Sequence, residues 1–153
     1  DEAGLELFQL MKEKGIAYCP TLAASEAIAT YHGWRKGIDP DPEHIVQKKK
    51  SFKEALKAGV KICMGGDVGV FPHGDNVREM ELMAEYGMPV IDVLRSATTV
   101  NAGVFGLSDR LGRLAPGMLA DVIAVSGNPA QNISDLRRVI WVMKDGKMWN
   151  PEK

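Results

Sequence analysis

The spacing of apolar residues sorts this chain into elements. Leu5, Phe8 and Met11 share one face of a helix over residues 2 to 14, which Gly15 closes. The run 16–22 reads as a short strand with Pro20 near its end, where a missing amide donor is best tolerated. Residues 23 to 39 follow as a long connection carrying Tyr31, His32, Trp34 and Arg35, suited to a lid or wall over a site, although a surface helix-loop without a role fits the same letters. Asp41 then supplies an N-cap, with Pro42 at the first helical position, for a helix through Ala58 that turns Ile45, Phe52, Ala55 and Leu56 inward and stops at Gly59. Lys48, Lys49 and Lys50 on this helix read as a solvated surface, because consecutive residues cannot share a face.

The next strand ends in Gly65, Gly66 and Asp67. Alternation puts Asp67, Gly65, Cys63 and Lys61 on one face and Met64, Ile62 and Val60 on the other. In a parallel barrel the bulky face packs on helices, and Asp67 arrives at the carboxyl end of its strand, where such barrels keep their chemistry. Asp75 or Asn76 can cap a helix through Tyr86, Pro89 opens another through Ala97, and Thr98 or Thr99 starts a short one ending near Gly106. From Gly112 the pattern changes to strands and turns. Val122 to Val125 is a strand, Val139 to Met143 is another, and Lys144-Asp145-Gly146-Lys147 turns the latter back into Met148-Trp149 as a hairpin.

Composition narrows the class. The chain has 153 residues, 45% of them apolar, and a formal net charge of −1, which suits roughly one ordinary globular domain. No basic face is present to meet nucleic acid, and no apolar run is long enough to span a bilayer. A cytoplasmic protein is expected. Asp1 leads directly into a helical pattern, so the start reads as cut, and two strand-helix units fall short of the ~250 residues of a complete eight-unit barrel. Cys19 and Cys63 lie in separate strands without the paired spacing of zinc or redox motifs, and read as buried free thiols.

The order strand-GGD, the loop Val68-Gly69-Val70-Phe71-Pro72-His73-Gly74, a helix, Ala97-Thr98 to Gly106, and the Pro116-Gly117-Met118-Leu119-Ala120-Asp121 turn and strand resembles the carboxyl-terminal part of the amidohydrolase superfamily of metal-dependent hydrolases. The loop is most similar to the branch containing Xaa-Pro dipeptidases and other peptide carboxypeptidases, with imidazolonepropionase more distant. The resemblance implies an α/β fold: the last part of a (β/α)8 TIM barrel over residues 1–107, then strands of a small β-sandwich over 108–153. It also implies a binuclear, zinc-dependent enzyme in the complete protein, acting on a small peptide or N-acyl amino acid, completed by the amino-terminal part of the barrel and expected to be a homo-oligomer. The alternative is a noncatalytic fragment, or a subunit that needs a partner chain to complete the barrel.

Asp67 matches the eighth-strand aspartate of that superfamily, so the resemblance makes it both metal ligand and catalytic acid-base. Amide hydrolysis needs an activated water and a proton for the departing amine, and one carboxylate can take the first proton and deliver it. The family's other ligands, a His-x-His pair, a lysine and two histidines, map onto nothing here. His73, just past Asp67, is the candidate substrate-binding residue. His44 belongs to an amphipathic helix and reads as ordinary. Asp121 is expected to hydrogen-bond the turn before it, Glu79 to favour its helix dipole, and Arg78 to be a weaker candidate for a substrate carboxylate.

Overall fold

Phe8 is fully buried on α1 (Leu5–Glu13), as its helical stripe requires, and Gly15 leaves the helix at φ 69°. The computed structural model describes residues 4–149, so Glu2 and Ala3, which the sequence adds to this helix, lie outside the described residues. The chain divides into two compact units, Asp1–Met88 and Pro89–Lys153. That division falls ahead of the 107/108 boundary drawn from the sequence.

In the first unit, the supposed long connection is half helix: α2 (Leu22–Tyr31) buries Leu22, Ala23, Ala24 and Ala29. Its small, closely spaced alanines let it lie against α3 (Glu43–Ala58) and α4 (Val77–Glu85), and α3 also packs on α1. Asp41 does not cap α3. Pro42 occupies the N-cap, and Asp41 pairs instead with Lys49, about two helical turns further on. Gly59 ends α3 as expected, at φ 67°. The lysine run is not uniformly solvated either, because Lys48 shares the buried stripe of Ile45, Phe52 and Ala55 and is only 8% exposed.

Two extended segments run parallel beside one another, bridged at Tyr18 and Ile62. The Tyr18 N–H donates to the Lys61 carbonyl at 2.8 Å, and the Cys63 N–H donates to the Tyr18 carbonyl at 2.9 Å. Val60 and Ile62 are buried while Lys61 is exposed. Both cysteines are free, but only Cys63 is buried; Cys19 is exposed, against the expectation that both thiols are buried.

In the second unit, α5 (Val90–Arg95) runs through a π-helical turn (Ser96–Val100) into α6 (Asn101–Val104) without a break. Thr98 and Thr99 start no new helix, because their hydroxyls bond back to the carbonyls of Leu94 and Arg95. β1 (Val122–Val125), β2 (Val139–Lys144) and β3 (Lys147–Trp149) form an antiparallel sheet in that order, Val142 opposing both Ile123 and Trp149. The hairpin turn Asp145-Gly146 has positive φ at both residues, 50° and 73°, the twist that joins adjacent strands most directly. The Asp121 backbone N–H donates to the Leu119 carbonyl just before it at 2.9 Å, while its side chain serves the hairpin: its Oδ1 accepts from the Asp145 amide at 2.7 Å and its other oxygen pairs with Lys144.

Candidate active site

The two parallel segments end side by side, and both leave in the left-handed backbone region. Thr21 has φ 48° and Asp67 has φ 61°, and the one other non-glycine residue of positive φ among the described residues is the hairpin's Asp145. For a β-branched threonine this conformation is a true outlier, and such strain, of order 1–3 kcal/mol per residue, persists where surrounding structure enforces it. Two of these three residues therefore stand at the ends of the paired segments.

Asp67 is exposed there. No hydrogen bond or ion pair occupies its carboxylate among the described residues; its backbone carbonyl accepts from Val70 N–H at 3.3 Å and so opens the following loop. A Cβ on Gly65 would stand 2.7 Å from Cys19 Sγ, so the two segments approach closely just before Asp67. Cys19 is exposed as a residue, but partial desolvation of its thiol first, then the adjacent Cys63, pushes it up to about 11, so it is no thiolate nucleophile near neutrality. His73 is exposed in the same loop as Asp67, and no hydrogen bond joins the two side chains. The loop is tied down at its centre, where the Tyr31 hydroxyl donates to the Val70 carbonyl at 2.7 Å.

Arg78 is already committed. Its guanidinium grips Glu26 through Nε at 2.6 Å and Nη2 at 2.8 Å, and reaches Glu81 at 3.2 Å. Lys36 joins the same carboxylate at 3.0 Å and Glu85 at 2.6 Å. Burial alone would raise the Glu26 carboxyl, but the hydrogen bonds from Arg78 and Lys36 outweigh it and hold the group below the usual range. A guanidinium used in this bidentate way is a strut between α2 and α4 rather than a free hand for substrate.

Glu79, which the sequence assigns to the dipole of its helix, is instead buried and bonded to another helix. It is 0% exposed, its Oε2 accepts from the Ala23 amide at 2.7 Å, and its Oε1 has no partner. Burial raises its carboxyl to about 7, against the opposing pull of the Ala23 and Leu22 amides and the Lys48 ammonium. The signal was present in the chain: Glu79 continues the buried stripe of Leu82, Met83 and Tyr86 at helical spacing, a position where a charged residue needs a reason.

Among the described residues, no three His, Cys, Asp or Glu side chains converge as ligands, so these residues do not by themselves fit a metal ion, and Asp67 offers one carboxylate. A cavity of about 670 Å³ is lined wholly by the second unit, including Ala102, Leu111, Val122 and Met143, and contains none of the candidate site residues.

Two parallel segments that carry an acid to their carboxyl ends, with helices packed in the same unit, are the arrangement of the strand ends of an α/β barrel. The Amidohydrolase family matches residues 5–149, and the chain belongs to that family. It is similar to ochratoxinase from Aspergillus niger, 32% identical over 157 residues that cover 94% of this chain and 31% of the relative. Among solved structures, a Xaa-Pro dipeptidase with methionine bound in its active site superposes with a TM-score of 0.84 at 39% identity, covering 96% of this chain and 37% of that one. A prolidase complexed with N-methylphosphonate-L-proline gives 0.82 at 27% identity, over 98% of this chain and 38% of that one. The chain thus spans about a third of the length of these relatives. The α/β fold class follows: the last part of a TIM barrel with strands of a small β-sandwich.

Proposed function

We propose that this chain is the carboxyl-terminal portion of a metal-dependent amidohydrolase that cleaves a C–N bond in a small peptide or N-acyl amino acid, in the manner of a prolidase-like dipeptidase or a carboxypeptidase. The reading rests on the unpartnered Asp67 carboxylate, carried in a left-handed turn at the carboxyl end of a parallel strand. In this reading Asp67 takes a proton from the attacking water as its oxygen bonds to the carbonyl carbon. It then passes that proton to the nitrogen as the C–N bond breaks. His73, further along the same loop, lies on the substrate side, and the Tyr31 bond to Val70 keeps the loop in place. A zinc pair is part of the proposal for the complete protein, where Asp67 is one ligand and the others come from outside these residues. The dipeptidase and prolidase titles of the structural neighbours favour Xaa-Pro dipeptides as first substrates, followed by Xaa-Arg and Xaa-Lys peptides.

In the complete protein, Asp67→Asn should leave far-ultraviolet circular dichroism unchanged and lower kcat by about 10²–10⁴-fold, the usual contribution of a positioned acid-base group. Turnover within a few-fold of wild type would sink the assignment. The second reading, a noncatalytic fragment or partner-dependent subunit, is favoured by the single parallel bridge at Tyr18–Ile62, whose outer strand edges are unpaired among the described residues. Both readings expect the isolated chain to be inactive and to hold no tight zinc, since one carboxylate cannot replace a ligand set. Peptide turnover by this chain alone, with about one equivalent of zinc retained, would overturn that expectation.

A further inference from the structure

The first turn of α2 lacks the cap its own sequence would supply. A helix starts with backbone N–H groups that have no acceptor inside it, and a Ser, Thr, Asp or Asn at the N-cap normally provides one. Thr21 holds that position, yet at φ 48° and ψ 50° its side chain makes no capping bond. Glu79 provides the acceptor from 56 residues away, taking the Ala23 N–H at 2.7 Å. The same side chain backs the other strand end. A Cβ on Gly66 would lie 3.4 Å from Glu79 Cβ and 3.0 Å from Phe71 Cζ, so α4 is pressed against the residue that precedes Asp67.

Glu79 therefore bonds the residue two after left-handed Thr21 and lies beside the residue just before left-handed Asp67. It does so at a cost, because a fully buried carboxylate with an unbonded Oε1 is less stable than an apolar side chain of the same shape would be on this stripe. We propose that Glu79 is a positioning residue for Asp67: it locks the turn that opens α2 to the turn that carries Asp67, and so fixes where the catalytic carboxylate stands. This rests on the reading of Asp67 given above. Glu79 touches no reacting atom. Its effect is on the time Asp67 spends in the productive orientation, a quantity that enters kcat more than substrate affinity.

The test uses the complete protein with Xaa-Pro dipeptides and compares Glu79→Ala, Glu79→Gln and Asp67→Asn. Glutamine keeps a carbonyl oxygen at the same reach for the Ala23 amide, whereas alanine leaves that amide without an acceptor. The expected result is a 10- to 100-fold fall in kcat for Glu79→Ala at nearly constant KM, with Glu79→Gln recovering to within about five-fold of wild type. Amide hydrogen exchange at Ala23 should be fast in Glu79→Ala and slow in Glu79→Gln. If Glu79→Ala fails to fold, Gly66→Ala replaces it, because the added methyl separates α4 from the strand end and should lower kcat while Ala23 stays protected. Wild-type kcat in Glu79→Ala, or in Gly66→Ala, overturns the proposal while an inactive Asp67→Asn leaves the underlying reading intact. An active Asp67→Asn defeats the underlying reading instead.

Discussion

Replacing Glu79 with glutamine should change how stability depends on pH. The carboxyl of Glu79 stands at about 7 in the folded chain against an ordinary value of 4.5. Folded protein therefore binds this proton over a range where unfolded protein has released it, and stability falls as pH rises from the lower value through the higher one. At 1.36 kcal/mol per pKa unit the full effect is roughly 3 kcal/mol, of which about 2–3 kcal/mol falls between about pH 5 and about pH 8. Glutamine keeps the acceptor for Ala23 without an ionisable group, so its curve should lack that component. Urea unfolding of the complete protein and of Glu79→Gln, followed by circular dichroism across this range, gives the difference directly, because all other titrating groups cancel between the two. Wild type should be less stable relative to the variant at about pH 8 than at about pH 5 by that amount. Parallel pH curves for the two proteins would refute the argument that burial governs this carboxyl.

Other outcomes follow from single contacts. Tyr31→Phe removes the hydroxyl that holds the Val70 carbonyl, and should raise KM several-fold with a stability loss of no more than about 1 kcal/mol, measured by steady-state kinetics and thermal unfolding. Gly127→Ala places a Cβ 2.1 Å from Asp135 Oδ2 at a backbone φ of 105°, and should destabilise the protein by at least about 2 kcal/mol, seen as a lower Tm with a milder effect on KM than on stability.

Much of this architecture was legible in the letters. Strand β1 was read with its observed ends, the Asp-Gly hairpin was recognised from turn chemistry, and Gly59 ended its helix where its left-handed conformation does. Several of the departures concern hydrogen-bond and ion-pair partners. Each of these residues takes a partner other than the one its type and position suggest, in most cases one further along the chain. Asp41 was expected to cap the next helix and instead meets Lys49; the Asp121 side chain was expected to bond its preceding turn and instead bonds the hairpin at Asp145; Thr98 was expected to start a helix and instead bonds back into one. Glu79 and Arg78 belong to the same group, their partners at Ala23 and Glu26 lying more than fifty residues away. Asp67 was conspicuous because its strand, glycines and loop are contiguous, but whether His73 turns toward the same substrate depends on surfaces that contiguous sequence does not encode.

A helix whose cap lies 56 residues downstream inherits a schedule. Residues 22–31 leave the ribosome well before Glu79 does, and until then the amides of their first turn have only water to bond. A ten-residue helix is too short to persist by its own propensity, so α2 is expected to flicker during synthesis and to settle only once α4 has been made and docked. The turn at Thr21, which opens α2, is then held only after the chain has been made as far as Glu79.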